Sequence, residues 1–184
     1  MRKIFVSLVL VVTTLMVGCQ EGGNENTNVK TSSGTSAGGS PSATTPSTSK
    51  VDIQTIPSVG KSKAGGIDSI NGRGSADSSF GKIDSKQATN ITVSGWFIDE
   101  QAQRAAEGVF VNVDGKLDVP ASYGIDRKDV ADLFKNDAIR FSGFEASIPV
   151  GNLENGRHTL SLKIVKGDKS GYYESDRKVN IDIQ

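Results

Sequence analysis

The sequence predicts an all-β domain, an antiparallel β-sandwich with one short helix, preceded by a signal peptide and a disordered linker. Three observations predict it. Short runs with an apolar residue at every second position recur through the second half of the chain, the pattern of strands with two unlike faces. Turn dipeptides such as Asp114-Gly115 and Asn155-Gly156 separate those runs. Ten of the eleven aromatic residues lie between Phe80 and Tyr173, and residues 6–79 hold none. A core needs large apolar side chains to offset chain entropy, so the compact part is expected at residues 66–184.

The elements follow in order. Ile67 and Ile70 begin a first strand. Ile91 to Asp99 is strand-like, with Trp96 out of phase with Val93 and Phe97. Val109, Val111 and Val113 alternate with Phe110, Asn112 and Asp114. Asp114-Gly115 is a hairpin turn, because both residues tolerate positive φ, and Lys116 to Ala121 returns as a short strand. Phe144, Ala146 and Ile148 alternate, as do His158, Leu160, Leu162 and Ile164. Lys166 to Lys169 forms another turn, and Val179, Ile181 and Ile183 close the chain. Six to eight short strands are expected, with no internal repeat. The helix starts at Asp126, a good N-cap, with Asp129 in the first turn where the helix dipole favours negative charge. Val130, Leu133 and Phe134 are expected to form its buried stripe, and Lys135 and Asn136 to end it.

The chain opens with Arg2 and Lys3. An apolar run from Ile4 to Val17 follows, too short for a bilayer span of roughly 20 residues and shaped like a secretory signal. It ends Leu15-Met16-Val17-Gly18-Cys19, and Cys19 is the sole cysteine of the chain. Residues 19–65 read as a tether. Gly22 to Lys50 is almost entirely Gly, Ser, Thr, Ala, Asn and Pro, a composition that buries nothing. Val51 to Ile56 is more apolar and is either a short docking strand or more linker. Truncation near Gly66 is therefore expected to cost little.

Two resemblances add to this reading. The segment ending at Gly18-Cys19 resembles the lipobox of bacterial lipoproteins. That implies cleavage before Cys19, acylation of its sulfur and new amine, and anchorage in a membrane by lipid, since two or more acyl chains hold stably where one does not. Gln20, rather than Asp, after Cys19 resembles the pattern for transfer to the outer membrane of a Gram-negative cell. The stretches SGWFID, GVFVNVDGK, YGIDRKDVADLF, NDAIRFSGFEASIP, LENGRHTLSLKIV and GYYES resemble an immunoglobulin-like domain appended to bacterial envelope and secreted proteins. Tyr123 to Val130 is the most specific part. The resemblance covers residues 66–184 and implies an accessory module without recognised chemistry.

Charge and composition exclude several classes. Lys+Arg 21 equals Asp+Glu 21, which argues against a nucleic-acid binder. Losing residues 1–18 removes Arg2 and Lys3 and leaves a net balance of −2, so attraction to anionic lipid is not the expected mode of attachment. One Cys excludes an internal disulfide, and no cofactor is expected. His158, the sole histidine, is in phase with Leu160 and Leu162 and reads as a packing or edge residue; a Ser-His-Asp relay would need a Ser held against it. Of Asp126, Asp129 and Asp132, capping and the helix dipole explain two, and that reading is preferred to a cation site. The expected function is noncatalytic display of a module to an envelope glycan or protein. The alternative is an accessory factor or weak enzyme of envelope glycan metabolism. Candidate binding residues are Tyr123 and Arg127, expected on one surface, with Trp96, Tyr172 and Tyr173. Arg127 has a second reading as a salt bridge holding the helix to the sandwich.

Overall fold

A computed structural model describes residues 46–184. In chain order its strands are β1 (Ser47–Thr48), β2 (Ser58–Ser62), β3 (Gly65–Ile70), β4 (Arg73–Gly74), β5 (Lys82–Ile83), β6 (Asn90–Asp99) and β7 (Arg104–Ala105). There follow β8 (Gly108–Val113), β9 (Leu117–Pro120), β10 (Ser122–Ile125), helix α1 (Lys128–Phe134), β11 (Gly143–Pro149), β12 (Gly156–Val165), β13 (Tyr172–Ser175) and β14 (Val179–Ile183). The fold is all-β apart from α1 and two short 3-10 turns.

The strands form two sheets. The first runs β1-β10-β11-β6-β3-β4, with β7 on the end of β6. In the second, β12 is central: β8 and β9 lie on one side, and β13 and β14 share the other. The two sheets face each other across one apolar core. Ile91, Val93, Phe97, Phe144, Ala146 and Ile148 enter it from the first sheet; Val109, Val111, Val113, Leu160, Leu162, Ile164 and Ile181 enter from the second. These are the alternating positions of the sequence, because successive strand side chains point to opposite faces. The hairpin from β8 to β9 turns at Asp114 (φ 54°) and Gly115 (φ 74°), the paired positive values that suit the twist of a tight hairpin.

Three expectations change. The chain joins the fold near residue 46, well before residue 66. β2 pairs with β13 and β1 with β10, and Ile53 is 5 % exposed, packed on Phe110 and Val165. The reason lies on the outer face of the second sheet. Phe110 and Val165 are apolar there, and Val51, Ile53 and Ile56 cover them from a turn, not from a strand. Second, the pairing is mixed: β2 with β13 and β5 with β14 are parallel.

Third, α1 buries Val130 and Ala131, whereas Leu133 is 74 % and Phe134 49 % exposed. Seven residues give two turns, and the turn that touches the sheet is the first. Val130 and Ala131 pack with Ile98 and Ile139 on the outer face of the first sheet. Arg127, not Asp126, is the N-cap, although the Asp126 carboxylate accepts the Lys128 N–H at 3.0 Å. Lys135 ends the helix in the left-handed conformation.

Candidate functional site

Trp96 stands on the outer face of β6, partly buried. Its cross-strand neighbours are Gly66 on β3 and Gly143 on β11. Neither carries a side chain, so the row beside the indole is left to two arginines, Arg127 over Gly143 and Arg177 over Gly66. Phe134 meets it edge-on, with ring centroids 5.6 Å apart, an arrangement aromatic pairs favour. Two cavities of about 350 Å³ adjoin Trp96. One is lined by Lys63, Ala64, Ile98, Glu100, Gln103 and Phe134. The other is lined by Gly66, Asp68, Leu162, Ser175, Lys178 and Val179. Arg177 lines both. It projects from the break between β13 and β14, where Ser175 Oγ donates to the Arg177 carbonyl at 3.2 Å and accepts the Arg177 N–H at 3.1 Å.

Arg127 takes its structural role. Its Nε and Nη2 donate to both oxygens of Asp129 at 2.9 and 2.8 Å, and Nη1 reaches Asp68 on β3 at 2.7 Å. The hydrogen bonds to Asp129 and then to Asp68 raise the guanidinium pKa above its ordinary value, and Arg127 holds the Asp129 carboxyl down to about 2. The arginine crosses over Gly143, where a Cβ would press on its Cγ. It thus ties the start of α1 across the sheet face to β3. Asp126 pairs with Arg140 at 2.7 Å and Asp132 with Lys128 at 2.6 Å, so all three aspartates around the helix have cationic partners. Among the described residues no group of three or more His, Cys, Asp or Glu is placed to hold a metal ion.

The tyrosines fare differently. Tyr123 pairs with Phe144 and packs against the main core, while Arg127 lies on the opposite face, so the two do not form one surface. Burial raises the Tyr123 phenol pKa. Tyr173 is only 6 % exposed and its hydroxyl has no partner among the described residues. It pairs with Ile164, a core residue, so it shares the inward face and offers nothing to a ligand. Tyr172 points outward, flanks the Ile53 cluster and carries Lys163 Nζ 5.2 Å from its ring centre. Cys19 lies outside the described residues.

Tyr172 also lines a polar groove of about 630 Å³ on the outer face of the second sheet. Asp118 organises its wall, accepting from Lys163, Asn112 and Gln54 at 2.8, 2.7 and 2.7 Å. Thr159, Ser161 and Asp114 also line it. His158, which does not line the groove, bonds the Asp114 carboxylate through Nδ1 at 2.7 Å and the Glu154 carbonyl through Nε2 at 2.8 Å. Both ring nitrogens are committed to acceptors, which favours the protonated ring and raises its pKa; the Thr159 N–H and His158 lower that of Asp114. A histidine whose pKa is raised on folding adds stability below its unfolded value, and loses it as pH climbs through the folded value. The stability advantage of the wild type over His158→Gln should therefore be fullest below roughly pH 6.5 and shrink at higher pH. Urea unfolding midpoints of both proteins on either side of neutrality test this. A constant gap would mean that the ring titrates alike in both states.

Sequence reasoning found Trp96 and its outward phase. It missed Arg177, whose one signal is the polar run Asp176-Arg177-Lys178 before the last strand, and it missed the exposure of Phe134. No family model and no curated protein matches the chain.

Proposed function

We propose that this chain is a lipid-anchored, noncatalytic display protein of a bacterial envelope, presenting an immunoglobulin-like domain to a partner outside the membrane. The observation that carries it is Cys19, the sole cysteine, placed directly after Gly18 at the end of an apolar run with a basic start. The immunoglobulin-like part is supported by strand order. β10-β11-β6-β3 faces β9-β8-β12-β14, which matches the grouping D-E-B-A against C′-C-F-G; β13 shares the β12 edge with β14, and β1, β2, β4 and β5 extend the sheets at their ends. The short edge strands and the polar outer groove leave surfaces free for recognition, in keeping with display.

The anchor is tested by growth with an alkyne-bearing palmitate analogue. The wild-type chain should become labelled and sediment with membranes, and Cys19→Ser should do neither. A labelled Cys19→Ser protein, or an unlabelled wild type, would overturn the reading.

A further inference from the structure

We propose that the cleft around Trp96, Phe134 and Arg177 binds a carboxylate-bearing sugar ring. Two pieces of chemistry converge there. The first is an apolar seat. Trp96 and Phe134 form a two-ring corner above Ala64 and Ile98, and the face of an indole covers the C–H surface of a pyranose well. Phe134 is half exposed although α1 has a buried side to offer, so the aromatic corner is open to a ligand.

The second is charge. The Arg177 guanidinium has no carboxylate within ion-pair distance among the described residues. Lys63 touches Asp176 only at 3.8 Å. Asp68, the carboxylate on the far side, is already taken by Arg127 at 2.7 Å. Arg177 lines both cavities, and its planar fork suits a carboxylate in two-point contact. Glu100 and Gln103 line the rim as acceptor and amide for hydroxyl or acetamido groups. Glu100 is itself held by Ser62 Oγ at 3.1 Å, and Gln103 Nε2 is tied to the Glu100 carbonyl at 2.6 Å, so the rim is preorganised.

Size selects the ligand further. Each lobe is about 350 Å³, near the lower end of the roughly 300–1,000 Å³ of small-ligand sites. That accommodates a ring in one lobe with its acidic substituent at Arg177. The polar groove on the other sheet is lined by lysines and carboxylates and by no arginine, so it offers no planar fork for a carboxylate in two-point contact. The inference rests on the envelope reading only for where such a sugar would be met; the binding chemistry stands on these residues alone.

Trp96 is the sole tryptophan of the chain, so its emission reports on this cleft without a label. The full-length protein in neutral detergent is titrated with N-acetylmuramic acid and with N-acetylglucosamine, which lacks the lactyl carboxylate. The acidic sugar should bind at least about tenfold more tightly, as expected of a charge-assisted pair. Arg177→Gln should erase that preference, and Phe134→Ala should weaken both sugars. Both side chains are exposed, and matching thermal melts will show that the variants are folded. Equal affinity for the two sugars, a preference that survives Arg177→Gln, or no saturable emission change with either sugar would each overturn the proposal. A palmitate-labelled chain that fails this titration keeps the anchor and loses the sugar site. A chain that passes it without labelling keeps the site and loses the anchor.

Discussion

Deleting residues 46–65 from the full chain should unfold the domain or lower its melting temperature by many degrees. The segment supplies β2, whose backbone pairs with β13 from Tyr172 to Ser175, and the cover over Phe110 and Val165. Without it those side chains meet water, at roughly 1.5–3 kcal/mol for each large apolar side chain exposed, and β13 becomes an unpaired edge. Ile53 carries the apolar share. Ile53→Ala should cost about 2–5 kcal/mol, the range for a buried isoleucine truncated in place. Circular dichroism melts of the deletion, Ile53→Ala and the wild type decide the matter. Midpoints within a degree or two of one another would show that residues 46–65 rest on the domain without supporting it.

Phe97→Ala should destabilise the domain by about 3–5 kcal/mol, Arg127→Ala by about 2 kcal/mol, and Phe134→Ala by about 1 kcal/mol or less. Phe97 is fully buried between the sheets, so its loss leaves a cavity. Arg127 makes three charge-assisted hydrogen bonds, but its partners Asp68 and Asp129 are about half and two-thirds exposed, and water recovers part of the loss. Its removal also frees the start of α1 from β3. Phe134 forfeits its edge contact with Trp96 and little else. Urea denaturation of the three variants gives the order directly. Phe134→Ala falling beside Phe97→Ala would place the helix stripe in the core after all, and would remove the open aromatic corner on which the sugar site depends.

These variants also mark where the sequence was readable. Strand phase was, because alternation at period two requires no knowledge of the partner strand. Val93 and Phe97 point inward and Trp96 outward, as their spacing dictates. The Asp114-Gly115 turn was readable for a local reason too, since few residue pairs hold positive φ twice in succession. Arg127 carried two readings, and its neighbours could not choose between them. Asp129 is two residues away, but Asp68 is 59 positions earlier in the chain. The helix misled for a related reason. Val130, Leu133 and Phe134 share a stripe, yet a two-turn helix meets the sheet through one turn only, and Ala131 took the place expected of the larger residues.

The N-terminal boundary shows the same division. Counting aromatics placed the start near residue 66, because a segment with no large ring has little to bury in a core of its own. Phe110 and Val165 held the missing clue: both are apolar at outward positions, and an apolar outward position needs a cover.

By itself, then, the sequence determined what depends on neighbours a few residues apart: an all-β chain, its strand phases and its tightest turn. Tertiary structure alone decided which outward-facing apolar residues are covered and which stay open, and whether a given arginine is spent on a carboxylate or left free. Arg127 and Arg177 have the same side chain, and only the distance to Asp68 and Asp129 separates a structural tie from a spare cation. Such pairings join residues tens of positions apart, so they depend on how the sheets bring distant segments together and leave no periodic trace in the chain.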